Sequence, residues 1–298
     1  MEVLSIKNLY KSFGEKEVLR GVDLIIPKNS IFGFIGKNGA GKTTVMKCVL
    51  GLLKPDSGEI KVLGEDVRFG NTPTNKYIGY LPDVPEFYSF MSAREYLHYC
   101  GKIIGMKKKD IEERTEELLK TVGLSSEKSR IAGFSRGMKQ RLGIAQALLP
   151  KPLLLMCDEP TSALDPLGRK EILDLLVSVK KETTVLFSTH ILSDVERICT
   201  DVAFLDNGRI ISAGKAETLK RAKRREEFIV EPLCSEDVAK FKSRFANFLR
   251  LDKNLLIFEG GEELMHEVIG FIAERKIAVN KIERVEPSLE SLFMEAAE

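Results

Sequence analysis

Gly36-Lys37-Asn38-Gly39-Ala40-Gly41-Lys42-Thr43 is the stretch on which the fold turns, and Thr44 continues it. Before it runs SIFGFI from Ser30, short and apolar. After it runs TTVMKCVLGLL, which has helical patterning and is expected to stop at Pro55. A buried strand that breaks into glycines and then into a helix is the frame of a phosphate cradle. Glycines let backbone N–H groups approach phosphate oxygens closely, and the helix N-terminus adds its positive end. Lys42 would reach the β- and γ-phosphates of a nucleotide, and the Thr43 hydroxyl would hold Mg²⁺.

Working outward, LLLMCDE from Leu153 to Glu159 is a second apolar run, ending in adjacent carboxylates. On a buried parallel strand the run packs into the sheet and its carboxyl end delivers both acids to the ligand edge. Asp158 would coordinate Mg²⁺, commonly through water, and Glu159 would polarise an attacking water. TTVLFSTH from Thr183 and DVAFLDNGRI from Asp201 are further strands, and Asn207-Gly208 in the latter is a hairpin turn. Short strands VLSIKNL from Val3 and VDLIIP from Val22 precede the cradle, and the texture from about Pro85 to Leu124 is helical. Apolar runs separated by helices imply an α/β core with a parallel sheet.

Beyond Gly214 a second pattern begins after the charged helix ETLKRAKRREE. FIVEPL, SEDVAKFKSRF, FLRLDKNLLIFE, EELMHEVIGFIAERK and AVNKIERVE read as strand, helix, strand pair turned at Lys253-Asn254, helix and strand. That order is the ferredoxin-like arrangement. A final helix, PSLESLFMEAA, offers Leu289, Leu292, Phe293 and Met294 as an apolar stripe.

Composition narrows the function. The chain has 298 residues, 43% of them hydrophobic, and a formal net charge of +2, so no strong field argues for a nucleic-acid partner. The basic run from Arg221 is read as a solvated helix face. The five cysteines form no close pair, which fits a reducing cytosol and argues against disulfides or structural metal. The first residues carry charges where a signal peptide needs an apolar region. The longest apolar runs fall far short of a membrane span.

With these residues assembled, the chain from its start to Gly214 resembles the ABC ATPase family. FSRGMKQR (134–141) resembles the family's signature, SALD (162–165) its D-loop, and His190, ending TTVLFSTH, its switch histidine. Phe13 in KSFG stands where the family places a ring that stacks on adenine. The resemblance implies a P-loop NTPase cassette: a mainly parallel sheet core, an antiparallel β subdomain and a helical subdomain over about 85–149. A small α+β domain over 215–298 would follow. Ser135 is placed to cap the signature helix, so that its hydroxyl, the nearby Gly137 amide and the helix N-terminus make an anion site. In the family this site meets the γ-phosphate of ATP held by an opposite subunit. Two ATP would then sit between two copies, or between this chain and a related cassette. Transmembrane permease subunits would be the further partners, at the cytoplasmic face of the membrane, with Phe87 to Met91 facing them.

Three departures stand out. Asp83 occupies the place of a glutamine near Mg²⁺ and the attacking water, which makes it a third candidate metal ligand. Its shorter reach and extra negative charge weigh against direct contact. Arg136 replaces a glycine and Met138 a glutamine of the signature. Together with the ending EPSLESLF they resemble the branch serving export-type permeases. The rival is a soluble ABC ATPase acting on DNA or ribosomes; such proteins carry a long coiled-coil insertion or a second fused cassette, and this chain has neither.

Overall fold

Alternating residues in the first stretch build a long antiparallel hairpin, β1 (Glu2–Phe13) against β2 (Lys16–Pro27), turned at Gly14 with φ 59°. Both strands are longer than the sequence segments suggest, because pairing carries the extended backbone into the exposed, polar ends. The computed structural model describes residues 2–70, 72–222, 227–234, 236–252, 255–285 and 289. It divides into two units, the first ending at Ala216 and the second beginning at Glu217.

In the first unit, β3 (Ile31–Ile35) leads into α1 (Lys42–Val49). The helix ends short of the expected Pro55: Gly51, at φ 65°, takes the left-handed conformation that closes a helix. Next come β4 (Ser57–Val62) and β5 (Glu65–Asp66), which complete an antiparallel sheet in the order β2-β1-β4-β5. After β6 (Ile78–Leu81) the chain turns helical, through α2 (Ala93–Ile103), α3 (Lys108–Thr121) and α4 (Arg136–Leu148). A capping box of Ser92 and Glu95 starts α2, and Gly123 at φ 67° follows α3.

The chain then returns to the sheet through β7 (Leu154–Asp158), α5 (Pro166–Val179), β8 (Thr184–Thr189), α6 (Leu192–Ile198), β9 (Asp201–Asp206) and β10 (Arg209–Lys215), and α7 (Ala216–Ala222) then leads into the second unit. The core sheet has the order β10-β9-β3-β8-β7-β6. All its neighbours run parallel except the hairpin β9–β10, which turns at Asn207 and Gly208 with φ 44° and 77°. Every residue of β3, β7 and β8 is buried, as strands covered on both faces require. Phe34, Phe187 and Phe204 are fully buried among them, each contributing roughly 1.5–3 kcal/mol by leaving water. Gly79 lets α4 pass close to β6: a Cβ there would stand 2.2 Å from the Ala147 carbonyl oxygen.

This order matters for the site. β3, β8 and β7 are adjacent and parallel, so the chain after Ile35, the Thr189-His190 step and the Asp158-Glu159 pair emerge side by side at one sheet edge.

The second unit has β11 (Glu227–Pro232), α8 (Asp237–Phe245), β12 (Leu249–Asp252), β13 (Leu255–Glu259), α9 (Glu262–Arg275) and β14 (Val279–Arg284). Its sheet, β12-β13-β11-β14, is antiparallel throughout. The element order is that of a ferredoxin-like unit. Phe228 and Phe258 stack at 5.0 Å, and Phe241 and Phe245 from α8 meet the Phe258 ring edge-on. The turn at Lys253-Asn254 and Leu292, Phe293 and Met294 of the expected last helix lie outside the described residues. Leu289, the one residue of that apolar stripe that is described, is fully buried.

Candidate functional site

Beyond β3 the chain must leave a buried strand and turn sharply, which it does on glycines. Gly39 and Gly41 have φ of 83° and 113°. A Cβ on Gly36 would lie 2.5 Å from the Leu205 carbonyl oxygen. Gly41 is the N-cap of α1 and supplies no side-chain cap, leaving that helix end to a different acceptor. Lys42 is buried beneath the loop, its Nζ donating to the Gly36 and Lys37 carbonyls at 2.6 and 3.3 Å.

Asp158 is held from both sides. Thr43 Oγ1 donates to its Oδ2 at 2.6 Å, and Ser188 Oγ donates to its Oδ1 at 2.6 Å. Glu159 follows at φ 48°, a left-handed conformation in which Cβ crowds the following carbonyl oxygen. Its N–H is fixed by Ser188, at 3.2 Å from the carbonyl oxygen and 3.1 Å from Oγ. Its carboxylate lies between a cation and an imidazole: Lys42 Nζ is 3.1 Å from Oε1 and His190 Nδ1 is 3.0 Å from Oε2. The Lys42 contact is an ion pair without hydrogen-bond alignment at Oε1. Nearby, burial pushes the Tyr80 phenol up to about 12, and the negative charge of Asp158 adds to that.

A cavity of about 300 Å³ opens on this group, walled by Lys42, Thr43, Thr44, Asp83, Asp158 and Glu159 with Asn38, Gly39 and Gly41. A second, of about 520 Å³, shares Asn38 and Gly39 and extends past Lys37 and Ala40 toward Lys16, Arg20 and Asn207. The structure thus brings together the cradle, both carboxylates and His190. Phe13, Ser135 and Gly137 line neither cavity. The Phe13 ring is half exposed at the end of β1, with Lys11 Nζ 5.4 Å from its centroid. Ser135 caps α4, accepting from the Met138 N–H at 3.2 Å. Asp83 faces the first cavity, but its Oδ1 accepts from Ser162 Oγ at 3.0 Å and stands 3.7 Å from Arg136 Nη2.

Sequence reasoning missed Ser188, whose hydroxyl orients both acids. Its signal was a polar residue at a fully buried position inside the apolar strand TTVLFSTH.

The ABC transporter family profile matches residues 19–162. The ABC transporter ATP-binding protein YxlF of Bacillus subtilis (strain 168) is 45% identical over 227 residues, covering 76% of this chain and 75% of its own. The chain belongs to the ABC transporter ATP-binding proteins. The bacitracin transport ATP-binding protein BcrA of Enterococcus faecalis is 32% identical over 296 residues, covering 98% of this cassette protein and 95% of its own. Among solved structures, cbiO1 of Clostridium perfringens, part of the ABC transporter complex cbiONQ, superposes with a TM-score of 0.68 at 26% identity. It covers 83% of this ABC protein and 96% of its own chain. As a member of the family the chain is an ATPase, the nucleotide-binding subunit of a transporter. Among the described residues no helix is long and apolar enough to cross a membrane.

Proposed function

We propose that this ABC subunit works in pairs. Two copies, or one copy and a related cassette, close on two ATP, and hydrolysis reopens them to drive substrate through separate permease subunits. The observation that carries this reading is the Glu159 carboxylate held between Lys42 and His190, at 3.1 and 3.0 Å, beside the phosphate loop. A carboxylate so placed takes the proton of a water attacking the γ-phosphate. Lys42 offsets charge on the phosphates, His190 orients Glu159, and the backbone from Gly36 to Thr44 cradles the anion. Phe13 stacks on the adenine.

Thr43 and Asp158 suit Mg²⁺: a hydroxyl and one carboxylate are the protein share of a site whose other oxygens come from phosphates and water. When bound, the ion neutralises phosphate charge. Ser135 and Gly137, which line neither cavity, serve the nucleotide of the opposite cassette. The cassette spans 1–214, with its helical subdomain at about 85–149, and residues 215–298 form an accessory domain. Exposed Tyr88 and Phe90 face the permease at the cytoplasmic side of the membrane.

The test is Glu159→Gln, which keeps the shape and removes the charge. ATP should still bind while hydrolysis falls about 10²–10⁴-fold, and the protein should elute from gel filtration as an ATP-bound dimer. Hydrolysis at the unaltered rate would remove Glu159 from the reaction. Tight ATP binding without any dimer would remove the pairing.

A further inference from the structure

Three segments distant in sequence meet at one polar triangle. Ser162 Oγ donates to Asp83 Oδ1 at 3.0 Å, Arg136 Nη2 donates to Ser162 Oγ at 3.3 Å, and Arg136 Nη2 lies 3.7 Å from Asp83 Oδ1. One hydroxyl can donate once and accept at the same time, so the triangle is chemically complete. Gln140 Nε2 ties the Asp83 backbone to α4 as well, donating to the carbonyl oxygen at 2.9 Å.

Arg136 is the first residue of α4, and that helix has no acidic residue in its first turn. The positive end of a helix favours anions, so a guanidinium there is unfavourable unless an anion accompanies it. Within the chain that anion is Asp83. Arg136 and Asp83 are each about half exposed, at 45% and 48% of their side-chain surface, so the pair is solvated and exchangeable rather than locked. A guanidinium held by a weak carboxylate partner, beside a capped helix N-terminus, is available to a stronger anion. A nucleotide's terminal phosphate is such an anion, since charge-assisted bonds to phosphate are among the strong ones.

We infer that Asp83 and Arg136 act as one charge couple: Asp83 holds the arginine in its own cassette until the terminal phosphate of ATP on the opposite cassette competes for it. This rests on the paired reading given above. Asp83 is then a positioning residue acting through Arg136, rather than a metal ligand, and Ser162 is the hinge between them. The couple raises the ATP concentration that closure requires above that of a neutral signature, because each contact with phosphate first displaces a carboxylate.

The experiment uses the full chain carrying Glu159→Gln, so that association is read without turnover. Light scattering against ATP concentration, with sedimentation as a check, is run on this parent and on Asp83→Asn, Arg136→Gln and the double variant. Asp83→Asn should lower the ATP concentration for half-maximal association by roughly two- to fivefold, the size of a released surface ion pair. Arg136→Gln should raise it by about tenfold or more, the size of a lost charge-assisted bond. The double variant should match Arg136→Gln alone, and Arg136→Lys should recover most of the parent's response. A shift from Asp83→Asn that survives in the Arg136→Gln background overturns the couple, as does an Arg136→Gln curve that overlays the parent. A parent that binds ATP but never associates overturns the paired reading, and the couple with it.

Discussion

Replacing Ser188 by alanine removes one oxygen from the fully buried end of β8. That oxygen donates to Asp158 Oδ1 at 2.6 Å and accepts the Glu159 N–H at 3.1 Å. The two losses are unequal. Glu159 N–H retains the Ser188 carbonyl oxygen at 3.2 Å, so its desolvation is compensated. Among the described residues Asp158 keeps only the Thr43 hydroxyl, on its other oxygen, and it is itself buried, 3% exposed, where water does not readily replace the missing donor. A hydrogen bond to a charged group contributes about 1.5–3 kcal/mol. The void left by a single oxygen adds little, so Ser188→Ala should destabilise the first unit by about 2 kcal/mol.

The same loss should appear in function, because a carboxylate held on one side can rotate away from the position in which it would hold the proposed Mg²⁺. Outer partners of this kind typically contribute 10–100-fold to metal affinity or activity. The Mg²⁺ concentration for half-maximal ATPase activity should therefore rise by about tenfold or more, while ATP binding measured without Mg²⁺ changes little. Urea unfolding followed by circular dichroism gives the stability, read from the transition that added nucleotide shifts, since two units need not unfold together. A stability change below about 0.5 kcal/mol with an unaltered Mg²⁺ dependence would refute the role assigned to this hydroxyl.

Gly36→Ala should reduce nucleotide binding by about tenfold or more in an equilibrium titration, because its Cβ would stand 2.5 Å from the Leu205 carbonyl oxygen and the loop must move off the sheet. The cysteines give a readout of packing. Burial pushes Cys48 up to about 11 and raises Cys157 further, so less thiolate exists at any pH below those values. In the native protein a disulfide reagent at about pH 8 should label exposed Cys234 first, with buried Cys48 and Cys157 both silent until the fold opens. Rapid labelling of Cys157 in folded protein would contradict its packing within β7.

The catalytic candidates were legible because they stand where apolar runs end. Ile35, Asp158 and Thr189 close three buried strands, and a run that stops at Gly-Lys, Asp-Glu or Thr-His announces a sheet edge facing a ligand. The sheet order was not legible, since β3, β7 and β8 carry nearly the same all-buried pattern and nothing in their composition says which two flank the third. The end of α1 was misjudged for a local reason. Pro55 drew the boundary, although Gly51 was the residue able to adopt the left-handed closing conformation. The deepest gap concerns Asp83, Arg136 and Ser162. In the sequence, the first two appear as separate departures from a familiar pattern and the third as part of a loop. Only the packing of α4 beneath the segment after β6 makes them a single triangle, within 3.0–3.7 Å. A glycine in place of Arg136 would leave the Asp83 carboxylate free to face the cavity it already lines with Thr43 and Asp158. A neutral side chain in place of Asp83 would leave a cation uncompensated at a helix N-terminus. Each departure from the pattern therefore creates the electrostatic need that the other one meets.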